Sequence, residues 1–104
     1  MALTKDFKET IKERVIHDPV FRKELLKEGV ECLLNGDVDT GKTILRDYVN
    51  SSLGFEALGF ATDKSPKSLM RMLSPKGNPL ARNLLEIIAH LQKYEGIHLE
   101  VNDH

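Results

Sequence analysis

The chain has 104 residues, 30% of them charged, with a formal net charge of −1 and no tryptophan. That is enough for one modest core but short for a doubly wound nucleotide-binding sheet with its flanking helices, and the mixed charges with 40% apolar residues exclude a polyionic tail. Its longest apolar runs, such as Ile87–Ile88–Ala89, fall far short of the roughly 20 residues that span a bilayer, and "MALTKDFKET" lacks the apolar stretch of a signal peptide, so a cytoplasmic protein is expected.

In chain order, Thr4 or Lys5 to Ile16 reads as a first helix, because Leu3, Phe7, Ile11 and Val15 recur every four residues and charges fill the other face. Asp18-Pro19 then supplies a capping carboxylate followed by proline at the first helical position. Phe21, Leu25, Leu26, Val30, Leu33 and Leu34 form the apolar stripe of a second helix that stops at Asn35-Gly36. The single cysteine, Cys32, lies on this stripe, has no partner for an internal disulfide and reads as a buried structural thiol.

The next eight residues, "GDVDTGKT" from Gly36 to Thr43, match the phosphate-loop pattern G-x-x-x-x-G-K-[ST] letter for letter. A phosphate loop requires a buried strand to lead into it, so that backbone N–H groups and a helix dipole converge on the phosphates. Here the preceding residues have a helical period, and Asp37 and Asp39 place two negative charges inside the supposed cradle. No later apolar strand ends in a magnesium-binding aspartate. Gly36 therefore reads as a helix C-terminal glycine, and Asp37 or Asp39 as the cap of a third helix carrying Ile44, Leu45, Tyr48 and Val49.

Beyond Gly54 the elements shorten. Ser65-Pro66 and Asn78-Pro79 repeat the capping logic of Asp18-Pro19 and mark two more helix starts, the last helix running to Gly96. Ile97-His98-Leu99-Glu100-Val101 alternates apolar and polar and suits a short edge strand. The expected fold is all-α: one domain of five or six helices, with an N-terminal helical pair over residues 1–36, a DNA-binding unit over 37–104 and a short C-terminal strand.

The stretch "FEALGFATDKSPKSLMRML" has the period and punctuation of two short helices crossing over a tight turn. Leu58 and Ala61 are expected to face inward from the first, Leu69 and Met72 or Leu73 from the second, with Gly59 where the backbones approach. With Gly54-Phe55-x-Ala57-Leu58, Thr62, Ser65-x-x-Ser68-Leu69-x-Arg71-x-Leu73-Ser74, Gly77-Asn78-Pro79 and the apolar segment ending in Leu99, residues 41–101 resemble the helix-turn-helix antidote (antitoxin) proteins of bacterial addiction modules, relatives of the phage repressors. The chain departs from that family in having Asp63 where the turn often carries glycine, and Lys64 where an apolar residue commonly plugs the crossing.

The resemblance implies a sequence-specific regulator that binds operator DNA, represses its own operon and neutralises a cognate toxin of the ribonuclease class. In such a unit the second helix, roughly Pro66 to Leu73, lies in a major groove. Ser65, Lys67, Ser68 and Arg71 become the base readers, while Lys64, Lys76, Arg82 and the helix start at Asn78 become phosphate contacts. Charge distribution agrees: Gly54 to Lys93 holds six Lys or Arg against three acids, net +3, while the remainder is net −4. One helix-turn-helix covers a half-site, so a homodimer is expected. Ile97, Leu99 and Val101 offer a strand for pairing with a second copy or with the toxin. No cofactor, metal spacing or paired catalytic groups are present, so no enzymatic activity is expected. The alternative is a helical protein-interaction module that does not bind DNA.

Overall fold

The computed structural model describes residues 17–103, which leaves the helix expected over Thr4 or Lys5 to Ile16 outside the described residues. Five helices lie within them: α1 (Pro19–Leu34), α2 (Val38–Ser51), α3 (Gly54–Thr62), α4 (Pro66–Met72) and α5 (Ala81–Glu95). Local chemistry sets most of their ends. Asp18 accepts hydrogen bonds from the N–H groups of Val20 and Phe21, both at 3.1 Å, and Pro19 occupies a position where an amide hydrogen would have had no helical partner. Gly36, at φ +86°, ends the connection after α1, and Asp37 accepts from Thr40 N–H to start α2.

The eight motif residues are thus a helix C-terminus, a cap and the first turn and a half of another helix. Gly41 sits where α2 crosses α1: a β-carbon there would come within 2.7 Å of the Leu33 side chain and 3.0 Å of the Gly29 carbonyl oxygen. The pair forms a close-packed helical hairpin.

One core joins all five helices. Leu26 comes from α1, Leu45, Tyr48 and Val49 from α2, Phe55 and Leu58 from α3, Leu69 from α4, Ile87, Ile88 and Leu91 from α5, and Leu73 from the turn after α4. Each fully buried leucine contributes about 2 kcal/mol by removal from water. The expected stripe on α1 is wider than the packing uses, since Leu26 is buried but Leu34 is exposed. Cys32 is half-buried, and the loss of hydration raises its thiol above the ordinary value.

Three sequence expectations are corrected. The last helix begins at Ala81, not at Asn78-Pro79; Leu80 takes the capping position and makes no side-chain cap. Ile97, Leu99 and Val101 belong to no strand among the described residues: Ile97 N–H donates to the Gln92 carbonyl at 3.0 Å and Leu99 N–H to Gln92 Oε1 at 2.7 Å, folding the segment back on α5. Ala61 is exposed rather than inward, because the short α3 turns only Phe55, Leu58 and Gly59 into the core. No helix among the described residues is long and apolar enough to cross a membrane.

Candidate nucleic-acid interface

The α3–turn–α4 unit is built around two small-radius features. Asp63 takes the left-handed conformation, φ 56° and ψ 43°, which a short polar side chain tolerates better than most, and its N–H returns to the Gly59 carbonyl. Gly59 is required by contact: a β-carbon there would lie 2.5 Å from the Lys64 carbonyl oxygen. Ser65 Oγ then accepts from Ser68 N–H at 3.1 Å, and Pro66 opens α4. Leu58, Leu69 and Leu73 are fully buried, so the crossing of the two helices is anchored from both sides.

Anchoring that face turns the other outward. Lys67 and Arg71, four residues apart on α4, are both exposed, as are Ser65 and Met70, while Ser68 is half-buried. Lys76 is exposed in the turn after α4, Arg82 is exposed in the first turn of α5, and Asn78 is exposed in the link between them. Among the described residues Lys67, Arg71, Lys76 and Arg82 make no ion pair.

Lys64 differs from these four. Its side chain is only 17% exposed and its Nζ donates to Glu86 Oε2 at 2.7 Å, which neutralises its charge within the fold and holds the Glu86 carboxyl below the usual carboxylate range. The position that commonly carries an apolar plug is thus filled by a lysine stem with its ammonium tied to α5. A cation committed in this way is a poor phosphate contact.

Two buried polar centres flank the unit, and neither was evident from spacing. Lys42, the lysine of the phosphate-loop pattern, is 3% exposed. Its Nζ donates to the carbonyls of Ser74 at 3.0 Å, Pro75 at 3.4 Å and Gly77 at 2.6 Å; the nearest acid, Asp39 Oδ1, lies 3.9 Å away and is largely solvated. At the other end of α2, Tyr48 Oη donates to Glu95 Oε1, which also receives Arg22 Nε from α1 at 2.5 Å. Glu95 Oε2 is buried with no hydrogen-bond partner. Burial first, and then the Glu95 hydrogen bond, push the Tyr48 hydroxyl well above its ordinary pKa. A faint signal for Lys42 exists in the sequence: it stands three residues before Leu45 and seven before Val49, on the helix face that packs inward.

Phe60, on the outer face of α3, is 93% exposed. No group of three or more metal-ligating side chains forms among the described residues. No family model, curated protein or solved structure matches this chain.

Proposed function

We propose that this chain is a cytoplasmic, sequence-specific double-stranded DNA-binding regulator that acts as a homodimer, and that it is the antitoxin of an addiction module, repressing its own operon and neutralising a ribonuclease-class toxin. The observation that carries the DNA reading is the crossed α3–α4 pair, whose second helix turns Lys67 and Arg71 outward with neither cation engaged by an acid among the described residues. Arg71 is the paired contact to a guanine edge, Lys67 reaches a base or a phosphate, and Ser65 and Ser68 bond to either. Lys76 and Arg82 hold the backbone on either side of the Asn78 link. The antitoxin role rests on the sequence resemblance over residues 41–101.

A gel shift with the DNA upstream of the chain's own coding sequence tests the DNA reading: specific binding by the wild type, weakened about 1–3 kcal/mol by Arg71→Ala, supports it. Absence of a specific shift at every salt concentration overturns it. Co-expression with a small basic protein encoded alongside tests the antitoxin role; growth arrest that this chain does not relieve refutes it. Removal of residues 97–104 tests the tail as a dimer or toxin contact, and an unchanged dimer mass with unchanged toxin binding excludes it.

The second reading, a protein-interaction module, is favoured by the bare Phe60 ring and the half-exposed Met70 on the same helix pair. Phe60→Ser separates the two. Lost partner binding with intact DNA binding gives Phe60 to a protein contact, and unchanged partner binding removes the support for that reading.

A further inference from the structure

The lysine of the phosphate-loop pattern is not absorbed by any nucleotide site, yet it is among the most deeply buried polar groups of the described chain. Its three acceptors are consecutive in purpose: the carbonyls of Ser74, Pro75 and Gly77 bracket Lys76 on both sides. Lys76 itself has its side chain in solvent. Ser74 also closes the end of α4, its N–H and Oγ donating to the Arg71 carbonyl at 3.2 and 2.7 Å. Gly77 lies so near that a β-carbon would stand 2.0 Å from the same Arg71 oxygen. The turn after α4 is therefore closed by its own hydrogen bond, Gly77 N–H donating to the Ser74 carbonyl at 3.0 Å, and tied to α2 by one ammonium group, and two exposed cations, Arg71 and Lys76, hang on that backbone.

We propose that Lys42 is a positioning residue for nucleic-acid contact: from α2 it gathers the three carbonyls that frame Lys76 and so sets that cation, and the Arg71 end of α4, in register for a phosphate backbone. This rests on the DNA reading above. Tying this closed turn to α2 removes its freedom to swing as a unit, and a fixed cation loses less freedom on binding than a roaming one. The ammonium suits the task because three donors on one compact centre match three converging acceptors, whereas the planar fork of arginine does not. Lys42 reaches no DNA itself, being covered by the turn it holds.

The test is a thermodynamic cycle of Lys42→Met and Lys76→Ala on the upstream DNA, with affinity followed against salt. Lys76→Ala lowers the salt slope by about one phosphate. Lys42→Met, which leaves Lys76 present, is expected to lower the slope as well, to weaken binding roughly three- to tenfold, and to be non-additive with Lys76→Ala. Full additivity, or a Lys42→Met slope equal to wild type, overturns the proposal. Amide exchange supplies a readout independent of DNA: the Gly77 amide, which donates to the Ser74 carbonyl at 3.0 Å, should exchange faster in Lys42→Met while α1 keeps its protection, and unchanged exchange there also overturns it. A wild type that binds no DNA sinks the DNA reading alone, since the exchange result still decides whether Lys42 holds the turn. If Lys42→Met does not fold, Lys42→Gln, which is uncharged and retains two N–H donors, is read in the same two ways.

Discussion

The two ends of α2 bury charge in opposite ways. In its second turn Lys42 is satisfied by neutral carbonyl dipoles, three of them, all from backbone that follows α4. Near its last turn Tyr48 meets Glu95, a formal charge at the end of α5 that also engages Arg22 from α1. The first centre is the better satisfied; the second gathers both donors on one carboxylate oxygen and leaves the other bare. A carbonyl clamp ties a helix to a loop and shapes that loop, while an ion pair ties helix to helix and shapes little beyond itself. The difference explains why only the Lys42 end bears on the proposed interface, and why the Glu95 end should dominate stability.

Removing the carboxylate should have the largest effect. Glu95→Ala strips a fully buried hydroxyl and a mostly buried guanidinium of their shared acceptor, and urea denaturation should show a loss of about 3 kcal/mol. Gly77→Ala comes next: with a β-carbon forced against the Arg71 carbonyl, the turn must move, for an expected loss of about 2–3 kcal/mol. Lys42→Met should fall below both, at about 1–2 kcal/mol, because the freed carbonyls lie in a turn that water can reach. Should Lys42→Met prove worse than Glu95→Ala, the ranking of the two centres is wrong.

Tyr48→Phe removes a single hydrogen bond, about 1 kcal/mol, and carries a pH signature. The raised folded pKa means its stabilisation is fully present below the ordinary tyrosine value of 10.0 and is lost as pH rises above it, so the variant should flatten the alkaline limb of the stability curve. The smallest effect belongs to Lys64–Glu86. Glu86 is depressed in the folded state, so the contribution of the pair is present above the ordinary value of 4.5 and fades as pH falls through the depressed one. Lys64→Met should remove that acid dependence by losing the small contribution of the pair at neutral pH, with no loss below the depressed value.

Most of the fold was legible where the cause is local. Asp18-Pro19 and Ser65-Pro66 start helices because a side-chain acceptor and a pre-set φ act within three residues of sequence. Asn78-Pro79 has the same two letters' worth of signal and fails. The Gly77 carbonyl is drawn to Lys42 from a helix over thirty positions earlier, and the extended residue that leads into α5 is Leu80, at φ −63° and ψ 145°, two positions beyond Asn78. The alternation over residues 97–101 misled for a related reason: a strand needs a neighbour, and Gln92 took the amide of Leu99 instead. Of the proposed contact residues, Lys67, Arg71, Lys76 and Arg82 stand exposed, while Lys64 was diverted by Glu86, a partner that no spacing rule reveals.

The amino-acid order alone determined the all-α class, the helix starts at Asp18-Pro19 and Ser65-Pro66, the crossing at Gly59 and Asp63, and the failure of "GDVDTGKT" as a phosphate loop, since periodicity, capping and backbone sterics all act over a few residues. Only the tertiary structure decided which lysines are spent inside the molecule and which remain on its surface. Burial of a charge depends on acceptors that distant segments bring to it, and for Lys42 those acceptors are backbone carbonyls, which every residue carries and no side-chain pattern announces.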